Sequence, residues 1–155
     1  MKKEELSVKD LMINDWVNVV IEGEVYPSVI TKMDMDTEDV KVAFLADPGD
    51  WEEGDFFDEI QPIPLTSELL ERNGFERVPQ PECANPYHWM LEKYEEETDG
   101  LLYRIKAYNT FFRGMFVSID NPSACETISF GKQIESVHEF QHALRLCGID
   151  KEITL

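Results

Sequence analysis

The 155-residue chain is strongly acidic, with 32 aspartate and glutamate residues against 14 lysine and arginine residues and a formal net charge of −18 at pH 7. This charge disfavours attraction to nucleic-acid phosphates or anionic lipid, so direct nucleic-acid binding is not expected and any partner is expected to be a protein. The length is enough for one domain, or two small lobes, to bury a core without covalent staples.

No apolar run approaches the roughly 18 residues of a membrane-spanning helix, and no charged leader is followed by an apolar segment. The sequence therefore predicts a cytoplasmic protein without a membrane span. Its three cysteines, Cys83, Cys125 and Cys147, are odd in number and widely spaced. They do not suggest a disulfide framework, and we expect them to be reduced.

The first part of the chain is predicted to be rich in strands. Residues 16–21 and 25–33 carry many β-branched and aromatic side chains and flank a Glu-Gly-Glu turn, which predicts a hairpin. Pro27 indicates an edge or a bulge in the second strand. Further strands are predicted at residues 40–46 and 56–60. Several short strands with little helix among them favour a small SH3-like β barrel or curled sheet.

An extended connector, Pro62-Ile63-Pro64, is predicted to follow, because proline disfavours the α conformation in the residue before it. Thr66 is expected to cap a short helix that continues through residue 73 and stops at Gly74.

The rest of the chain is predicted to form an antiparallel sheet with a packed C-terminal helix at residues 136–147. The strands of this sheet are predicted at residues 87–94, 101–108, 111–119 and 126–130. The fold class is therefore α+β, with a β subdomain at residues 1–61 and an α+β subdomain at residues 62–155, or the two as one compact domain.

The C-terminal helix has clear start and stop signals. Ser136 suits the N-cap, and Glu139 three residues later completes a capping box. Gly148 suits the left-handed position after the helix, as in a Schellman stop with Ile149 against Leu144. One face of the helix is apolar within an arc of about 120°, as expected of a core-facing stripe. The stripe consists of Val137, Phe140, Ala143, Leu144 and Cys147.

The same helix contains His138-Glu139-Phe140-Gln141-His142, a literal match to the zinc-peptidase pattern His-Glu-x-x-His. Histidines four residues apart share one face of a helix and can bind one metal ion, while the glutamate can serve as general base to a zinc-bound water. In this hypothesis His138 and His142 are zinc ligands, Glu139 is the base, and His88 or Cys83 completes the site.

Three features argue against a zinc site. A third protein ligand is required, and the acids downstream are only Asp150 and Glu152. Arg145 lies on the same side of the helix as the two histidines and places a positive charge beside the cation. The histidines also lie opposite the apolar stripe, which suits a solvated polar face as well as a cleft. The match is therefore interpreted as coincidental, with no metal or other cofactor.

The sequence also resembles a family of small proteins of uncharacterised function from Bacteroides-type bacteria and their phages and mobile elements. The resemblance rests on Val-His-Glu-Phe-Gln-His-Ala-Leu-Arg-Leu-Cys-Gly-Ile at residues 137–149, on residues 5–18, and on the Pro-Ile-Pro-Leu-Thr and Asn-Gly-Phe segments within residues 60–75. The family pattern accepts glutamine in place of Glu139 and other polar residues in place of His142. The resemblance therefore implies that the His-Glu-x-x-His match is coincidental, and it implies no established activity in its place. Together with the lack of a complete site in the sequence, it leads to the hypothesis of a noncatalytic accessory or interaction protein of phage or mobile-element origin.

A second hypothesis comes from the acidic segment at residues 34–59, which has 11 acidic residues and one basic residue, Lys41, for a local charge of −10. Blocks of like charge commonly form solvated loops. The sharper alternative is an inhibitor that mimics DNA with rows of carboxylates. The only basic patch of note, made of Arg104, Lys106 and Arg113, is too small to favour direct DNA binding.

Overall fold

A computed structural model shows an α+β fold, as predicted, and its described residues form two five-stranded antiparallel sheets and two α-helices. The chain divides into two compact units, residues 1–64 with 136–138, and residues 65–135 with 139–155. No helix in the described parts is both long and apolar enough to cross a membrane. The residues described are 6–47, 50–54, 59–79, 87–96, 102–110, 114–121, 126–130, 133–149 and 153–155.

The first sheet has the strand order β4-β3-β2-β1-β5 and is antiparallel throughout. The predicted hairpin is confirmed, and Glu22 and Gly23 connect its strands with positive φ angles of 51° and 84°. Two positive φ angles are the geometry of a type I′ turn, whose twist matches that of the strands. The strands are β1 (Trp16–Ile21), β2 (Glu24–Asp34), β3 (Asp39–Asp47), β4 (Asp50–Gly54) and β5 (Glu59–Pro62).

Pro27 lies in a central strand, but at a position where it is tolerated. It pairs with Asn18 of β1, whereas the pairing of β2 with β3 starts only at Ser28. At Pro27 the strand β2 is thus locally an edge on the side of β3. The N–H group that proline lacks is therefore not required for a hydrogen bond to β3. A bulge also occurs in β2, farther along between Ile30 and Lys32.

One strand of this sheet was not predicted, and one predicted strand lies partly outside the described residues. The strand β4 was not predicted, because its Asp-Trp-Glu-Glu-Gly sequence resembles an acidic loop. The strand β5 includes Glu59 and Ile60 of the strand predicted at residues 56–60, and residues 55–58 lie outside the described part. A closed barrel is not observed, because no pairing between described residues joins β4 to β5.

The core of the first sheet follows from the alternation of its strands. Val17 and Val19 on β1 and Ile30 on β2 are fully buried, while the residues between them are more exposed. This alternation is the period of two expected of a sheet with one covered face. The cluster consists of Leu11, Val17, Val19, Ile30, Val40, Val42 and Ile60.

The second unit contains the short helix α1 (Ser67–Arg72) and the sheet with strand order β10-β9-β8-β7-β6. The Thr66 hydroxyl accepts a hydrogen bond from the Leu69 N–H at 3.2 Å, and Gly74 has a φ of 88°, which confirms both predicted ends of α1. The sheet consists of β6 (Glu76–Arg77), β7 (Tyr87–Glu96), β8 (Leu102–Thr110), β9 (Gly114–Asn121) and β10 (Glu126–Ser129).

One face of the second sheet is apolar, with Ile105 and Ala107 of β8 beside Val117 and Ile119 of β9, all buried. The opposite face carries polar and charged side chains, as the alternation along β8 predicts. The helix α2 (Val137–Leu146) follows β10 and lies within the predicted range of residues 136–147.

Candidate functional site

The first turn of α2 is held by the connector that follows β5. The Val137 N–H donates a hydrogen bond to the Ile63 carbonyl at 2.9 Å, and Pro64 forms an isolated bridge with Ser136. The first N–H groups of a helix have no partner within the helix, so this contact satisfies one of them. A second segment of chain therefore lies beside the start of the helix.

Two side chains at this helix start, those of Ser136 and Glu139, contact neighbouring residues. Ser136 Oγ lies 3.0 Å from Nδ1 of His138, and the Glu139 carboxylate accepts a hydrogen bond from the N–H of Glu135 at 3.1 Å. Glu139 thus reaches back one residue farther than the capping-box pattern expects. His138 and Glu139, the first two residues of the His-Glu-x-x-His pattern, thus contact Ser136 and Glu135 at the start of α2.

His138 is buried, with 3% of its surface exposed, and Gln141 is buried at 5%. Of the two alternatives left open for the histidine face, a solvated polar face therefore does not describe His138. A helical wheel considers the helix alone, whereas the bridge between Pro64 and Ser136 brings another segment alongside its first turn.

His142 is half-buried and lies in a different environment from His138. It lines a groove of about 180 Å³ whose other walls are mostly apolar. Leu146, at the rim, has 76% of its surface exposed. The groove is lined by Phe130, Ile134, Glu139, His142, Ala143 and Leu146.

The predicted core stripe of α2 is confirmed at four positions. Val137, Phe140, Ala143 and Leu144 are buried, while Cys147 is half-buried. The Phe140 ring packs edge-on against Phe75, with ring centroids 6.0 Å apart. Such pairs are favourable because the positive edge of one ring meets the negative face of the other.

The helix ends with the predicted Schellman motif. Gly148 has a φ of 75°, and the Ile149 N–H donates to the Leu144 carbonyl at 3.0 Å. Burial raises the pKa of the Cys147 thiol just before this turn. A thiol of raised pKa remains protonated at neutral pH, which makes Cys147 a poor nucleophile.

The other proposed zinc ligands are not placed by the structure. Cys83 and the downstream acids Asp150 and Glu152 lie outside the described residues, and of His88 only the backbone is described, within β7. Arg145 is half-buried on α2. Among the residues that are described, no three histidine, cysteine, aspartate or glutamate side chains are grouped so as to hold a metal ion.

Four acids of the 34–59 segment lie at the β2–β3 turn. Asp34, Asp36, Glu38 and Asp39 are all exposed there. The Asp34 carboxylate accepts hydrogen bonds from the backbone N–H groups of Thr37 and Asp36, which lower its pKa. Asp34 therefore stabilises the turn itself.

A charged cluster on the polar face of the second sheet was missed in the sequence. Nε and Nη2 of Arg104 donate to Oδ2 of Asp120 at 3.0 and 2.7 Å, and Nζ of Lys106 lies 3.1 Å from the same oxygen. Arg104 and Asp120 are directly opposite on β8 and β9. The two bases noted as a small patch are thus neutralised in part by an acid, which only the strand register reveals.

Asp120 is nearly buried, so the cluster should contribute to stability. Burial raises the pKa of Asp120, but hydrogen bonds from Arg104, Lys106 and Thr127 outweigh that effect, and the net pKa is lowered. We expect Asp120→Asn to reduce the free energy of unfolding by about 1–3 kcal/mol at pH 7, since hydrogen bonds to charged groups are lost. Urea denaturation measures this change.

A lowered pKa in the folded state means that the carboxylate stabilises the fold above its unfolded pKa of about 4, and that this contribution disappears as pH falls through the folded pKa. The difference between Asp120→Asn and the wild type should therefore shrink below about pH 4. Asp36→Asn, at an exposed acid, is the control and should change stability by less than about 0.5 kcal/mol. An equal loss for Asp120→Asn at pH 7 and at low pH would contradict this account.

No family model matches the chain, and no curated protein or solved structure is significantly similar to it.

Proposed function

We propose that this is a noncatalytic accessory protein that acts by binding a partner protein, and that its His-Glu-x-x-His sequence stabilises the start of α2. The observation that carries the proposal is the burial of His138, which has only 3% of its surface exposed. A catalytic zinc ligand needs an imidazole nitrogen directed into an open site that also admits water and substrate.

The position of Glu139 supports the same proposal. A general base must point its carboxylate at the metal-bound water. The Glu139 carboxylate instead accepts a hydrogen bond from the backbone of Glu135. Origin in a phage or mobile element, location in the cytoplasm and an SH3-like curl of the first sheet are further parts of the proposal, and they rest on the sequence.

Zinc content provides the test, with His142→Ala as the matched variant. The protein is purified without a histidine tag, incubated with zinc, dialysed and analysed for metal, and labelled casein is the peptidase substrate. We expect the zinc content to be far below one ion per chain and the same in both proteins, with no zinc-dependent cleavage. Stoichiometric zinc that His142→Ala abolishes, together with cleavage of casein, would establish the peptidase alternative and refute the proposal.

A further inference from the structure

Among the residues that the structure describes, β10 is the last strand of the second sheet and pairs only with β9. The Phe130 N–H continues this ladder by donating to the Val117 carbonyl at 3.1 Å. In an antiparallel pair, residues alternate between those that bond the neighbouring strand and those whose N–H and C=O point away from it. Ile128 therefore bonds toward β9, while Thr127 and Ser129 direct their backbone groups outward. Such an edge is a template for an added strand.

The groove beside α2 begins one residue after this edge, at Phe130. Ile128 and Phe130, two residues apart, lie on the same face of the sheet, and Ile128 has 45% of its surface exposed. The groove volume of about 180 Å³ exceeds the roughly 150 Å³ of a cavity that accommodates benzene. There is room for one large apolar side chain against Ala143 and Leu146.

The net charge of the protein favours one kind of partner for the β10 edge and the groove. Two copies of a chain with a net charge of −18 repel each other, and an acidic partner is repelled in the same way. Glu139 lines the groove, and Glu135 is exposed close by in the chain. A segment with lysine or arginine next to its apolar residue complements this surface.

We propose that the outer edge of β10 and the adjoining groove bind an extended, cationic segment of a partner protein. The segment adds a strand by hydrogen bonding to the backbone of Thr127 and Ser129, and it inserts one apolar side chain between Phe130 and Leu146. Its basic residues lie near Glu139. This inference deepens the proposed binding function and depends on it. Strand addition gives affinity through the main chain, while the pocket gives specificity.

The probe is a synthetic peptide in which lysine alternates with valine around a central phenylalanine, compared with the same peptide carrying glutamate in place of lysine. Titration into the ¹⁵N-labelled full-length protein should shift the amide signals of Thr127, Ser129 and Leu146. We expect the lysine peptide to bind at least about tenfold more tightly than the glutamate peptide.

Two pairs of variants separate this site from general attraction to an acidic protein. Ser129→Pro removes an outward N–H, which proline permits on an edge strand, whereas Ser129→Ala keeps it. Leu146→Asn removes apolar surface at the groove, whereas Met35→Asn makes the same kind of change at the exposed β2–β3 turn. Ser129→Pro and Leu146→Asn should each weaken binding by about tenfold, and the two controls by less than about twofold. Dispersion of the amide signals verifies that each variant is folded.

Several outcomes would overturn the proposal. Equal affinity of Ser129→Pro and Ser129→Ala would exclude strand addition at this edge, and shifts centred on the acids of residues 34–39 would indicate general electrostatic attraction. A dimer in sedimentation that Ser129→Pro dissociates would make a second copy the occupant, and absence of binding to the wild type would also refute the site. None of these results would show zinc binding or peptidase activity. Failure of this inference can therefore be distinguished from failure of the proposed function, which the zinc and casein measurements test.

Discussion

Phe140→Ala should lower the free energy of unfolding by about 3–5 kcal/mol, the usual loss when a fully buried phenylalanine is truncated. Phe140 has no exposed surface and packs against Phe75, which follows directly after α1. The substitution removes apolar area and leaves a cavity that the neighbouring ring and helix fill only in part. The measurement is urea denaturation at pH 7, followed by circular dichroism.

Phe116→Ala is the matched control, because it makes the same change at a half-exposed ring. Phe116 stacks on Tyr108 on the opposite face of the second sheet, with centroids 6.0 Å apart. Its loss should be smaller, about 1–2 kcal/mol, since less apolar area leaves contact with the protein. Similar losses for the two variants would mean that Phe140 is not central to the packing of α2.

The parts of the fold that could be predicted from sequence are those whose signals lie within a few residues of each other. Thr66 and Gly74 define the ends of α1, and Gly148 with Ile149 defines the end of α2. The strands β4 and β6 could not be predicted, because their residues are polar and their pairing depends on β3 and β7. A short polar strand has no periodicity of its own to recognise.

The candidate site shows the same division between local and distant causes. The helix, its apolar stripe and the shared face of the two histidines follow from a periodicity of 3.6 residues. The burial of His138 does not, because the connector at residues 63 and 64, which contacts Ser136 and Val137, is distant from the helix in sequence. The charged cluster at Asp120 was missed for a similar reason, since Arg104 meets it only through the register of β8 and β9.

The two histidines of the pattern should differ in their importance for stability. His138→Ala removes a buried ring and leaves the Ser136 hydroxyl without this contact, so we expect a loss of about 2–4 kcal/mol. His142→Ala changes a half-buried residue at the groove and should reduce stability by less than about 1 kcal/mol. Urea denaturation of both variants at pH 7 gives the comparison.

His138→Asn is the informative intermediate, because the asparagine amide places a polar atom close to the position of Nδ1 and can restore the contact with Ser136. It should recover part of the stability that His138→Ala loses. Zinc ligands would behave differently: added zinc would stabilise the wild type through binding to the folded state, and both alanine variants would lose that stabilisation. A rise in the wild-type melting temperature with zinc that either alanine substitution abolishes would therefore contradict the structural role of His138, whereas unequal losses without any zinc effect support it.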